Sequence, residues 1–289
     1  MAADDITGST QRHGPSSDTP RFYAIISNKG GVGKTHLAIN ASMAIATKRN
    51  ALLIDANLSN ADALIKLGRK PRGTLLDYLE KRSEMTGIIT QSGHGFDVIT
   101  GVSGEIKLAN PIFMQKMKFV AAFREVGLDY DTVTLDLAPG ISRDVLDFAL
   151  AADGVIVVTT PTDIVSGYAC IKACFDRMCE LETRIKTKAS AYDMKTSLAI
   201  RIVTTKVRDV AEGRKIFRTL RQTAAKHLGE SNKDFAITVK YLGAVIDDPK
   251  GFRAAEEKRQ PYLRLFPKTE TATGLLEVAA RMANPALVR

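Results

Sequence analysis

The chain has 289 residues, 45% of them apolar and 25% charged, enough to bury a sizeable core as one large or two small domains. With 41 Lys and Arg against 32 Asp and Glu it carries a formal charge of +9, which favours an anionic partner: nucleotide, nucleic acid or an acidic membrane surface. No apolar run approaches the roughly 18 residues a bilayer span needs, and Cys170, Cys174 and Cys179, with no C-x-x-C pair, point to a reducing cytosol rather than a disulfide framework.

Residues 1–20, MAADDITGSTQRHGPSSDTP, lack the apolar stretch of a signal peptide or membrane anchor, and their Ser, Thr, Asp, Gly and Pro content predicts a disordered tail. That tail holds three aspartates and one arginine, a net of −2, so the body carries +11. From residue 21 onward short Val- and Ile-rich runs recur: RFYAIIS (21–27), ALLIDA (51–56), FDVITG (96–101), TVTLDL (132–137), GVIVVTT (154–160), LAIRIVTT (198–205) and YLGAVI (241–246). Runs this short and continuously apolar suit strands buried on both faces. Helical periodicity lies between them at 35–48, 111–126, 142–151, 164–183 and 210–228, and near the end GLLEVAARMANPALVR supplies a packing helix that Pro285 stops. The alternation predicts an α/β fold, a doubly wound and mostly parallel sheet flanked by helices, in a single domain over 21–289.

After the first predicted strand comes SNKGGVGKT (27–35), which almost fits the phosphate-binding pattern G-x-x-x-x-G-K-[ST]. Asn28 replaces the first glycine and Lys29 adds a lysine the pattern does not require. Gly30, Gly31 and Gly33, with Val32 between them, let the backbone approach phosphates and aim N–H groups inward. The helix opening near Lys34 adds its positive end, Lys34 is placed for the β- and γ-phosphates, and Thr35 offers a hydroxyl to Mg²⁺. A charge at the loop entry, where Lys29 stands, points away from the pocket that Lys34 fills. Asp136, at the carboxyl end of a buried strand, reads as functional because burying an unpaired charge is expensive.

The segment KGGVGKT resembles the deviant phosphate loop of the MinD/ParA family of P-loop ATPases. LLIDANLSNAD resembles that family's segment after strand two, and TVTLDLAPGIS its Walker B and switch II segment. The resemblance spans roughly 21–283 and lies nearest the FlhG/FleN branch of flagellar-number regulators, on ITGVSGEIKLANP (99–111), APGISRDVLDFALAADGVIVVTTPT (138–162) and YLGAVIDDPKGFRAAEEKRQPYLRLFPKTETA (241–272). It implies ATP and Mg²⁺ as cofactors, Asp55 and Asp136 beside the metal, and Gly140 where a γ-phosphate sensor flexes. It implies a nucleotide-dependent homodimer in which Lys29 reaches the partner's nucleotide, hydrolysis that resets the dimer, and a protein partner. The protein is then a cytoplasmic switch, docked at a membrane or cell pole, that controls the position or number of a cellular structure.

Departures from the pattern qualify this. Asn57 stands where the family places a carboxylate near the attacking water; an amide orients water but takes no proton, so hydrolysis is expected to be slow. Asp62 lies further along and is not assumed to substitute. Thr205 replaces the asparagine that reads adenine, His36 replaces a small polar residue near the α-phosphate, and Asp247 closes the candidate nucleotide contacts. The tail has no D-Q-A-x-x-L-R-like activating motif, and no basic amphipathic helix follows Pro285. Two alternatives stay open: a ParA-like DNA-binding partition ATPase, and a nucleotide-gated scaffold with little turnover. Arg214, Lys215, Arg218, Arg221 and Lys226 on one predicted helix could meet DNA or acidic lipid, though a solvated outer face explains them more simply. Cys170 and Cys174 read as core, as do Phe113, Met114 and Met117.

Overall fold

The computed structural model describes residues 21–58, 60–109, 111–188, 196–228 and 234–288; the expected tail at 1–20 lies outside them. Among the described residues eight strands form one sheet: β1 (Arg21–Ile26), β2 (Ala51–Ala56), β3 (Thr90–Gln91), β4 (Asp97–Thr100), β5 (Thr132–Leu137), β6 (Gly154–Thr159), β7 (Ser197–Val207) and β8 (Ala236–Ile246). Their order is β3-β4-β2-β5-β1-β6-β7-β8, and every pairing is parallel except β3 with β4 at one edge. This is the doubly wound, mostly parallel sheet that the alternating pattern predicts. β2, β5 and β6 are buried along their whole length, which is why they read as unbroken apolar runs. β8 is an edge strand whose first half alternates in exposure, so only its buried second half was visible as an apolar run.

The helices are α1 (Lys34–Ala46), α2 (Ala63–Lys66), α3 (Leu75–Leu79), α4 (Ile106–Ala109), α5 (Phe113–Gly127), α6 (Arg143–Leu150), α7 (Ile164–Lys188), α8 (Val210–Leu228), α9 (Pro249–Lys258), α10 (Tyr262–Leu265) and α11 (Glu270–Ala283). Local chemistry sets their starts. Ser142 caps α6 by accepting from the Val145 amide, Asp248 caps α9 with Pro249 in its first turn, and Thr269 caps α11. The last helix ends before Pro285, as expected. Helices α5, α6, α7 and α8 cover one sheet face with Phe119, Phe123, Phe148 and Phe175; α1, α10 and α11 cover the other with Leu37, Ile39, Tyr262 and Leu275. None of the helices among the described residues is long and apolar enough to cross a membrane.

One sequence expectation is corrected here. Phe113, Met114 and Met117 do not pack inward; they are 64%, 70% and 49% exposed. The inward position in that turn of α5 belongs to Lys116, whose ammonium is held by Asp144 at 2.7 Å and Asp147 at 2.6 Å on α6. A buried ion pair there rotates the apolar side chains to the outside. Cys170 and Cys174 are fully buried, and burial pushes the Cys170 thiol up to about 12, so both are core residues as read.

Candidate nucleotide site

The strand order places β1 between β5 and β6 while its successor β2 lies beyond β5, so the chain leaves β1 in one direction and returns on the other side. In open α/β sheets such a reversal leaves a crevice beyond the carboxyl ends of the strands. The loop that follows β1 fills that crevice. Gly31 and Gly33 have φ of +74° and +94°, which residues with a Cβ adopt at a cost, and a Cβ at either would meet no atom within 4 Å. The constraint is therefore backbone shape, and the space in front of the loop is open for a ligand. Gly33 is the residue before α1, so the free amides of the first helical turn face this space.

Side chains from α1, from the end of β1 and from β2 and β5 meet behind the loop. Lys34 is 8% exposed and donates to Ser27 Oγ at 2.8 Å; burial pulls its ammonium below the usual lysine range while Asp136 opposes this. The Thr35 hydroxyl donates to Asp136 Oδ2 at 2.6 Å. Asp136 Oδ1, fully buried, has no partner. Asp55 is register partner of Asp136 across β2 and β5, and it accepts from the Asn57 amide at 3.3 Å and the Ala63 amide at 2.9 Å. Burial raises both carboxyls, Asp136 to about 6, and the charge of Asp136 lifts Asp55 further. The Gly140 amide, after β5, donates to the Ser27 carbonyl at 2.8 Å and ties that segment to the loop.

A pocket of about 580 Å³ opens over these groups. Residues 30–37 line it together with Asn57, Asp62, Thr205, Asp247, Phe252 and Glu256, so most of the sequence candidates converge on one space. Lys29 lies outside the pocket lining with its side chain 59% exposed, bonded to Asp163 at the start of α7. Its ammonium holds the Asp163 carboxyl below the usual range. Thr205 lines the pocket, yet its hydroxyl donates to the Val32 carbonyl at 2.7 Å and so braces the loop. His36 packs on Phe252 with ring centres 5.1 Å apart and pairs with Glu256 at 3.0 Å; burial lowers its pKa. The Asp247 amide donates to the Val207 carbonyl at 2.8 Å beside Lys206, which has a left-handed φ of +55° at a bulge in β7.

The far wall escaped the sequence reading. Lys66 on α2 donates to Glu256 on α9 at 2.6 Å and pairs with Asp62 at 3.3 Å. The meeting of Lys66 with Glu256, 190 residues away, leaves no trace in the sequence. Among the described residues no cluster of His, Cys, Asp and Glu forms a preassembled metal site. The fit to a magnesium nucleotide rests instead on Thr35 and the orphaned Asp136 oxygen, with the glycine cradle and Lys34 facing the phosphates. The arginines of α8 lie on its exposed face opposite Ile216, Phe217 and Leu220, a solvated outer surface.

A family model described as an AAA domain matches residues 21–188, more than half of the chain. The chain belongs to that family. The chain is 27% identical to the antiactivator FleN of Pseudomonas aeruginosa over 274 residues, covering 92% of this chain and 89% of FleN. It is 30% identical to the flagellum site-determining protein YlxH of Helicobacter pylori over 155 residues, about half of each chain at 53%. Its fold is that of the septum site-determining protein MinD of Pyrococcus horikoshii in complex with Mg-ADP: TM-score 0.63, 19% identity, covering 93% of this chain and 98% of that one. Together these place the AAA domain among the MinD/ParA P-loop ATPases, on the FlhG/FleN side.

Proposed function

We propose that the protein is a Mg·ATP-dependent switch that dimerises on ATP and controls the position or number of a cellular structure, of the flagellar, polar or division-site kind. The observation that carries this reading is the pairing of Thr35 with Asp136 beneath a glycine cradle, with Asp136 Oδ1 buried and unpartnered: such an atom is expensive unless a cation or its water completes it. Kinship with FleN and YlxH supports the spatial role, and the DNA-partition alternative draws little support from α8, whose basic residues are an ordinary outer face.

The residues divide the work. Backbone amides of 30–33 and the first turn of α1 hold the phosphates, Lys34 neutralises their charge, and Thr35 with Asp136 and Asp55 holds the metal and its waters. His36 and Asp247 border the nucleotide, Thr205 fixes the loop from below, and Asn57 orients water. Bound Mg·ATP supplies the phosphoanhydride that is hydrolysed. Lys29, outside the pocket, supplies positive charge to a second copy, and Asn28 begins the loop that carries it. The protein acts in the cytoplasm as one domain over 21–289, with docking to a protein partner at a membrane or pole. Hydrolysis is slow, because residue 57 is an amide that orients water without itself taking a proton.

Steady-state phosphate release with Mg·ATP tests this. The expected result is measurable release that Lys34→Ala and Lys29→Ala abolish. Nucleotide binding without any release would favour the scaffold, and no binding at all would overturn the reading.

A further inference from the structure

Three carboxylates converge on the phosphate loop, and they differ in what they are free to do. Asp55 and Asp136 are 0% and 1% exposed. Asp55 receives two backbone amides, and Asp136 receives the Thr35 hydroxyl. Neither has a path to return a proton to solvent. Asp62 stands in the pocket wall with its side chain 32% exposed. Its ion pair with Lys66 is loose at 3.3 Å, and Lys66 is held more closely by Glu256 at 2.6 Å. Asp62 shares the lining of this pocket with Lys34, Thr35 and Asn57, so the carboxylate borders the space where the phosphates would lie. Asn57, which lines the same wall, donates its amide nitrogen to the Asn60 carbonyl at 2.9 Å, and a carboxamide accepts no proton at neutral pH.

We propose that Asp62 is the catalytic carboxylate that takes the proton of the attacking water in ATP hydrolysis, an inference that rests on the ATP-hydrolysing reading above. The water oxygen bonds to the γ-phosphorus, and the bond from that phosphorus to the β,γ-bridging oxygen breaks. The electron pair leaves on ADP. The water's proton passes to Asp62, which releases it through its exposed side, while Asn57 orients the water.

Single-turnover hydrolysis of bound ATP, measured beside nucleotide affinity and melting temperature, tests the assignment in the full chain with Asp62→Asn and Asp62→Glu. Asp62 precedes α2 without a side-chain cap, so its replacement by Asn removes no capping bond. The expected result for Asp62→Asn is a loss of at least ~100-fold in the single-turnover rate, the lower end of general-base contributions, with affinity within about 3-fold and melting unchanged. Asp62→Glu recovers part of the rate. Three results overturn the assignment: an Asp62→Asn rate within about 3-fold of the parent, a rate loss matched by an equal loss of affinity, or a Glu variant as slow as the Asn variant. A parent that binds ATP but never cleaves it would instead remove the hydrolysis reading and the assignment with it.

Discussion

Asp55 and Asp136 sit side by side in register on β2 and β5, so two buried carboxyls share the floor of the site. Like charges so placed cannot both ionise cheaply without a cation. Burial holds Asp136 at about 6, above its ordinary 3.8. A folded-state value above the unfolded one means that Asp136 contributes stability at low pH, in full below about 4, and that this is lost as pH rises through 6. Asp55 is shifted in the same direction. Without nucleotide, Asp136→Asn should therefore melt above the parent at pH 8, by at most about 3 kcal/mol, and converge on it near pH 4. Calorimetry at the two pH values checks this. With Mg·ATP the order should reverse, because only the parent keeps the metal-side carboxylate.

Thr205 gives a prediction about what it does not do. Its hydroxyl is spent on the Val32 carbonyl, 173 residues away, and only weakly reaches Thr159 O at 3.4 Å. Thr205→Val should weaken ATP and GTP alike, by up to ~10-fold, because it unties the loop from β7. Titrations with both nucleotides decide the point: a changed ATP-to-GTP ratio would mean that Thr205 reads the base.

The exposed and buried side chains of α5 should behave oppositely. Phe113→Ser and Met114→Ser should each shift stability by no more than about 0.5 kcal/mol, since these side chains are 64% and 70% exposed. Phe119→Ala, at a residue that is fully buried between Tyr78 and Phe123, should cost roughly 3–5 kcal/mol. Urea unfolding of the variants separates the two classes.

These contrasts mark what the sequence could and could not convey. The loop at 27–35, Asp55 and Asp136 were legible because each is a local pattern: glycines before a helix, or an aspartate ending an apolar run. The parallel core strands were legible because burial on both faces leaves them no polar positions. Lys116 was not, because nothing near it announces Asp144 and Asp147, and without that pair Phe113 and Met114 look like core. Glu256 was missed for the same reason: what brings it to the pocket is Lys66, 190 residues earlier, while Asp62 was noticed in the sequence but given no place in the site. Asp163 likewise reveals itself only through Lys29, 134 residues before it.

Lys29 carries the central claim, since it lies outside the pocket lining and pairs with Asp163. Light scattering of the full chain with no nucleotide, with Mg·ADP and with a non-hydrolysable Mg·ATP analogue, for the parent and for Lys29→Ala, tests it most directly. The account predicts twice the monomer mass only for the parent with the ATP analogue. One mass under all three conditions, or a Lys29→Ala dimer as stable as the parent's, would contradict it.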